Sequence, residues 1–237
     1  MSNNKVAFTI ISKNYLGQAL TSFSYFKQIN SSGFSYKIVL MDMLDSEDYE
    51  VIQKLISNGV EIVFWGAIQN DFPLVSFYSM IRRYNVMEMN TAIKPYAIEH
   101  FYKHGAEKVI YFDPDIAFYG DLKELDKLLD ENDIVLTPHT LKPYPEDNRE
   151  VSNIVLNKAG IYNLGFIATK KSPNSMQMCE FWQKCLFDKA FARPDQGMFT
   201  DQKWADFFPA LFSKVLILKN KGYNAAYWNL HERKIHK

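Results

Sequence analysis

Cysteine is scarce in this chain: 237 residues contain two, Cys179 and Cys185. They fall on one helical pattern six residues apart, a rise of about 9 Å. A disulfide tolerates roughly 7 Å between Cα atoms, so the expectation is two buried thiols in a reducing compartment. No C-x-x-C pair exists, and a zinc cluster therefore has no support. Net charge is also lacking: 27 Lys and Arg balance 27 Asp and Glu. Without a basic stripe, nucleic acid is not an expected partner. No apolar run approaches the roughly 20 residues of a membrane-spanning helix. The early run Val6–Ile11 is too short for that and lacks a small-residue cleavage site. The expected location is cytoplasmic, with a peripheral contact at the inner membrane face left open. Glycine motifs are missing too. There is no G-x-G-x-x-G, no P-loop and no G-x-S-x-G, which removes support for dinucleotide, P-loop and serine-hydrolase chemistry. Internal repeats, low-complexity stretches and linkers are absent.

What is present is apolar material, 47% of the chain, with 15% aromatic. That suffices for one sizeable core. Apolar runs alternate with helical patterns. Strands are expected at Val6–Ile11, Tyr36–Met41, Glu61–Trp65 and Val109–Phe112. Helices are expected at Leu16–Ile29, Asp48–Ser57 (ended by Asn58-Gly59) and about Thr91–His104 (ended by Gly105). Pro95 belongs near the first turn of the last of these. Regular βα alternation implies an α/β fold with a largely parallel sheet between helices. The second half is less regular. Strands read at Asp133–Thr137, Gly160–Thr169 and Lys214–Leu218, and helices at Met176–Phe187 and Asp201–Phe212. Between them Pro138–Lys158 is polar and loop-like, long enough to be a binding segment.

The most informative motif is Asp113-Pro114-Asp115, directly after Val109-Ile110-Tyr111-Phe112. Ligands of open α/β sheets bind outside the carboxyl ends of the strands. Residues i and i+2 of an extended segment point to one side. Pro114 biases Asp113 toward that extended form. Two adjacent carboxylates repel, and a hard divalent cation bridging to a phosphate is their natural occupant. An isolated D-x-D also serves turns and caps. A phosphatase of the aspartyl type would have Thr or Val where Ala117 stands, so that reading ranks low. His100 and His104 sit i, i+4 and could share a metal, but Phe101 follows His100 and H-E-x-x-H is absent; the pair reads as structural. The aromatic stretch Phe72–Tyr84 reads as core or lid. The basic residues of Lys214–Lys221 and Arg233–Lys237 read as solvated faces.

Six segments taken in order resemble nucleotide-sugar glycosyltransferases of the GT-A fold, and most the retaining group that includes glycogenin and bacterial lipopolysaccharide galactosyltransferases. They are Ser12-Lys13-Asn14-Tyr15, Thr91-Ala92-Ile93-Lys94-Pro95-Tyr96, Tyr111-Phe112-Asp113-Pro114-Asp115, Tyr162-Asn163-Leu164-Gly165-Phe166, Asp201-Gln202 and Asn229-Leu230-His231. They span nearly the whole chain. The setting Trp228-Asn229 around His231 departs from the glycine-rich version of better-known enzymes. Relatives with this stretch generally continue beyond the equivalent of Lys237, which leaves a C-terminal truncation open.

The resemblance implies one GT-A domain over residues 1–237, with a Rossmann-like nucleotide-binding half over 1–120 and a sugar and acceptor half over 121–237. It implies a hexosyltransferase acting in polysaccharide biosynthesis, moving a sugar from a nucleotide-diphosphate donor such as a UDP-sugar to a glycan, lipid-linked or other acceptor, with retention. Asp113, Asp115 and His231 would hold Mn²⁺ or Mg²⁺, the mixed O/N set favouring Mn²⁺. Ser12, Asn14, Tyr15, Lys94, Asp113, Asn163, Gly165 and Asn229 would bind the nucleotide sugar. Asp201 and Gln202 would be catalytic. Two rivals stand beside this reading. A sugar-phosphate nucleotidyltransferase expects a Gly-rich loop where Ser12–Gly17 has one glycine. A non-catalytic carbohydrate-binding protein would not need both aspartates.

Overall fold

The computed structural model describes residues 4–145 and 151–234. Residues 146–150 of the long polar stretch, and residues 235–237 of the basic tail, lie outside the described residues.

Three strands, β1 (Lys5–Ile11), β2 (Ser35–Leu40) and β3 (Glu61–Phe64), alternate with α1 (Leu16–Ile29) and α2 (Ser46–Ser57). Asp45 opens α2 by accepting from the Asp48 amide, the usual role of a short acidic side chain at a helix start. Next come α3 (Trp65–Asp71), α4 (Phe77–Arg83), α5 (Val86–Ala92) and α6 (Lys94–Lys103), then β4 (Lys108–Phe112). The second half holds α7 (Lys123–Glu131), β5 (Ile134–Pro138), α8 (Asn153–Ala159), β6 (Tyr162–Lys170) and α9 (Pro173–Lys189). It closes with the short pair β7 (Ala192–Arg193) and β8 (Met198–Phe199), then α10 (Gln202–Ala205), α11 (Phe208–Leu211) and β9 (Val215–Ile217).

Seven strands form one sheet in the order β3-β2-β1-β4-β6-β5-β9, while β7 and β8 pair separately. In the seven-stranded sheet β6 runs antiparallel to both neighbours and the other pairings are parallel. The expected α/β architecture, a mostly parallel sheet flanked by helices, is what the chain adopts. Side chains alternate across the strands with period two. Val6, Phe8, Ile10, Val109 and Tyr111 pack on one face with Tyr96, Phe101 and Trp182. Ala7, Ile11, Ile110 and Phe112 pack on the other with Phe26, Leu125 and Leu129.

Several local expectations need correction. The helix over 91–104 is two helices meeting at Ile93. Pro95 has no amide hydrogen to bond back one turn, so the ladder is interrupted there. Trp65 opens α3 instead of closing β3. The polar stretch 138–158 contains α8, capped by Ser152. Asp201–Phe212 is split into α10 and α11, with Pro209 in the first turn of the latter. Cys179 is buried, but Cys185 is half-buried. Among the described residues no helix is long and apolar enough to cross a membrane.

Candidate functional site

β4 is buried throughout, and its last register partner is Phe166 of β6. The chain therefore delivers Asp113 to the carboxyl edge of the sheet, beside the start of an antiparallel neighbour. The Asp113 amide donates to the Gly165 carbonyl at 2.8 Å. Its Oδ1 accepts from the Tyr111 hydroxyl at 2.6 Å. Burial, and then the Asp113 charge, push the Tyr111 phenol well above its ordinary value, so Tyr111 stays a donor. On the other side the Gly165 amide donates to Asn163 Oδ1 at 2.9 Å. A Cβ on Gly165 would lie 2.8 Å from Asp113 Oδ2. The glycine is therefore what lets the carboxylate lie against β6.

Asp115 stands exposed two residues on. Partial desolvation, and next the Asp113 charge, raise its carboxyl above 3.8. Beside it an open cleft of about 480 Å³ runs between α1 and the loop after β4, lined by Gly17, Gln18, Thr21, Pro114, Asp115 and Ala117.

Below Asp113 sits a buried ion pair. Lys94 is 2% exposed and Asp201 is 2% exposed, with Nζ and Oδ2 2.7 Å apart. The ammonium donates to the Leu164 carbonyl at 2.7 Å, lies 4.3 Å from the Tyr111 ring centroid and is 3.9 Å from Asp113 Oδ1. Its contact with Asp201 is charge pairing outside hydrogen-bond alignment, so Asp201 Oδ2 has no hydrogen bond among the described residues. Burial pushes the Asp201 carboxyl above its ordinary value and Lys94 opposes this. The Thr200 hydroxyl donates to Asp201 Oδ1 at 3.0 Å, and Trp182 Nε1 donates to the Asp201 carbonyl at 3.0 Å. Thr200 has φ 47°. A β-branched residue in the left-handed region costs about 1–3 kcal/mol and persists only where its surroundings impose it. Thr200, Trp182 and Tyr111 are absent from the residues expected from sequence. Only Tyr111 had a signal, its i, i+2 spacing from Asp113.

The remaining expected residues are spread along the same edge. Ser12 is buried at the end of β1, its Oγ accepting from Asn90 Nδ2 at 3.1 Å. Asn14 and Tyr15 follow in an exposed single turn. Gln202 donates to the Ala159 carbonyl at 3.1 Å. Asn163 bonds Asn224, whose Nδ2 donates to the Pro138 carbonyl at 3.0 Å. Asn224 has φ 55°, a conformation asparagine tolerates. Asn229 is fully buried. Its amide donates to the His139 and Asn224 carbonyls at 2.9 and 2.7 Å, and its Oδ1 accepts from the Ala226 amide at 3.0 Å. That side chain is engaged with backbone. These bonds fasten the C-terminal segment to the end of β5.

His231 lies in that segment, Nε2 3.4 Å from the Thr140 hydroxyl and its ring 4.8 Å from the Tyr144 ring. Its Nδ1 is buried without a hydrogen-bond partner among the described residues. Asp113, Asp115 and His231 are not drawn together to ligand spacing. Among the described residues the group whose ligand atoms all lie within 4.8 Å of one another is Asp71, His100 and His104, at the far end of α6. At the sheet edge the donor chemistry nevertheless fits a divalent cation. The Asp113 charge adds to the cost of ionising Asp115, a glycine makes room for Asp113, and an imidazole nitrogen lacks a partner among the described residues.

Comparison with known proteins gives a family for the sequence and relatives for the fold. Residues 6–200 match Glycosyl transferase family 8. The chain is 25% identical over 230 residues to the uncharacterized protein YfnF of Bacillus subtilis (strain 168), covering 93% of this chain and 71% of that one. Its fold is similar to that of mouse xyloside xylosyltransferase 1 in its apo form, with TM-score 0.53, 11% identity, and 92% and 85% of the two chains covered. It is likewise similar to the glycosyltransferase GlyE of Streptococcus pneumoniae TIGR4, with TM-score 0.52 and 15% identity. That match covers 92% of this chain and 46% of GlyE.

Proposed function

The chain belongs to glycosyl transferase family 8 and is a nucleotide-sugar glycosyltransferase of the GT-A fold, and from that premise we propose that it is metal-dependent, uses a UDP-sugar and transfers with retention to a glycan or lipid-linked acceptor. The observation that carries the reading is the carboxylate of Asp113, held at the strand end by Tyr111 and Gly165 directly above the Lys94–Asp201 pair. The group most like it in this proposal is that of glycogenin and the lipopolysaccharide galactosyltransferases. Residues 1–120 supply the nucleotide-binding half and 121–237 the sugar and acceptor half. The setting is cytoplasmic, with peripheral contact at the inner membrane face.

Asp113, Asp115 and His231 are the residues that would hold Mn²⁺ or Mg²⁺. When bound, the cation neutralises the diphosphate leaving group. The protein's own groups do the rest. Ser12, Asn14 and Tyr15 mark the nucleoside end, beside the carboxyl end of β1. Lys94 sets a fixed positive charge under the phosphates, and its burial keeps that charge strong. Asp201 faces the developing oxocarbenium charge, with Gln202 and Asn163 ordering sugar hydroxyls. Asn229 holds the C-terminal segment in place. The test is calorimetric binding of UDP to the full chain, followed by mass spectrometry of donor turnover. UDP affinity is expected to fall strongly in EDTA and to return with Mn²⁺. Equal affinity in the two conditions would sink the cation-bridged diphosphate.

Two further outcomes follow. Gly165→Ala is expected to leave thermal stability nearly unchanged, because the crowded atoms belong to the side chains of Asp113 and Asn163 and not to backbone. It must nevertheless displace Asp113, and Mn²⁺ affinity should drop roughly 10–100-fold. Unchanged Mn²⁺ affinity in this variant would remove Asp113 Oδ2 from the ligand set. His231→Ala should weaken Mn²⁺ binding by roughly tenfold or more without unfolding the segment, which is anchored by Asn229 rather than by the imidazole. If Mn²⁺ binds this variant as tightly as the parent, the aspartates act without a third protein ligand.

A further inference from the structure

His100 of α6 and His104, which caps that helix, are joined by a residue that sequence spacing does not reveal. His100 and His104 are one turn apart on one helix face, their ring centroids 4.3 Å apart. Asp71, the last residue of α3, points one oxygen between them. Asp71 Oδ2 is 2.6 Å from His100 Nδ1 and 3.2 Å from His104 Nε2. All the ligand atoms lie within 4.8 Å of one another. His100 is buried, Asp71 is half-buried and the His104 side chain is 59% exposed. One side of the group thus faces packed protein and the other faces solvent, the arrangement in which water completes a coordination shell.

The spacing can be tested against coordination geometry. Tetrahedral ligands about 2.0–2.1 Å from zinc stand about 3.3 Å from each other. The His104 to Asp71 separation of 3.2 Å already meets this. The His100 to Asp71 separation of 2.6 Å must open by roughly 0.7 Å, a small torsional change of one carboxylate. Nearby positive charge is partly neutralised by Glu99. The Lys103 ammonium donates to the Asp71 main-chain carbonyl at 3.0 Å and pairs with Glu99 at 3.1 Å. Two imidazoles and one carboxylate suit zinc and its transition-metal neighbours, not calcium or magnesium.

We propose that Asp71, His100 and His104 bind a divalent transition-metal ion of the zinc class, with water as the fourth ligand, at a site separate from the carboxylates at the sheet edge. The two places are ten residues apart along α6, counted from Lys94 to His104, or about 15 Å. An ion here clamps the end of α3 to the end of α6, and α6 carries Lys94 at its first turn. Its work is to fix a helix, not to meet a substrate.

The experiment uses the full chain stripped with EDTA and then titrated with Zn²⁺, in parent, His104→Gln and Asp115→Asn proteins, with Co²⁺ absorption as a second readout. His104 is exposed enough that its replacement should leave the fold intact, checked by an unchanged melting curve in EDTA. Expected is a Zn²⁺ site, distinct from any at the sheet edge, whose affinity survives Asp115→Asn and falls at least 100-fold in His104→Gln. The visible Co²⁺ bands of a low-symmetry N/O site should be lost in the same variant. Mn²⁺-supported donor turnover should be unaffected by His104→Gln. Equal Zn²⁺ affinity in parent and His104→Gln would overturn the proposal, leaving two imidazoles that only hydrogen-bond a carboxylate. Loss of Zn²⁺ binding in Asp115→Asn would also overturn it, since the ion would then reside at the sheet edge.

Discussion

Asp201→Asn is expected to lower the free energy of unfolding by about 3–5 kcal/mol, the usual result of removing one partner of a buried ion pair. The substitution leaves the buried Lys94 ammonium with the Leu164 carbonyl at 2.7 Å and the Asp113 carboxylate at 3.9 Å, without its closest anion. The penalty comes from a buried charge left poorly compensated rather than from lost attraction. The double replacement Lys94→Met with Asp201→Leu should therefore recover most of the stability while abolishing turnover. Urea unfolding of the parent, the single and the double variant measures this directly. A single-variant loss under about 1 kcal/mol would mean that the pair is not held as two charges, since one polar-for-polar exchange at a neutral site costs about that much. The comparison also bears on why the pair is kept. Apolar residues of similar volume are often as stable as a buried pair, so stability alone is a weak reason for Lys94 and Asp201. Their position under Asp113, and the strained Thr200 beside them, points to chemistry.

The frame of this site was readable from sequence because it depends on local pattern. A fully apolar run ending in Asp113-Pro114-Asp115 dictates a buried strand delivering carboxylates to the sheet edge, and the chain does this. The α/β order followed from the alternation of runs, and the one antiparallel strand in the sheet, β6, did not. Its direction is set by long-range pairing with β4 and β5, which no local period encodes. What could not be read were contacts made across large separations. Lys94 meets Asp201 and the Leu164 carbonyl. Asp71 meets two histidines that the absence of H-E-x-x-H marked as structural. Asn229 was legible as a polar residue beside His231, but its three bonds to backbone depend on how the C-terminal segment returns to β5. The break at Ile93 was half-legible: Pro95 predicts a boundary nearby, but not that helix continues on both sides of it.

Asp115→Asn should separate activity from stability. In the folded chain this carboxyl is raised above 3.8 by desolvation first and by the Asp113 charge next. A carboxyl raised on folding favours the native state most below its unfolded value, and this contribution fades as pH rises through the folded value. At neutral pH, ionised Asp115 is therefore a mild burden on the protein without a cation. Replacing it with asparagine removes that burden, so the melting temperature in EDTA should stay constant or rise slightly. Donor turnover should nevertheless fall roughly 10²–10³-fold, the scale of losing one electrostatic partner of a developing charge. A second signature is protons. Mn²⁺ requires the ionised carboxylate, so Asp115 should give up a proton on Mn²⁺ binding at acid pH, from its raised folded value downward, and contribute none at neutral pH. Titration of Mn²⁺ in two buffers of different ionisation enthalpy reads this release, and Asp115→Asn should reduce it. Turnover falling in step with melting temperature would make Asp115 a structural loop residue. Full turnover with raised stability would leave Asp113 as the sole carboxylate of the site.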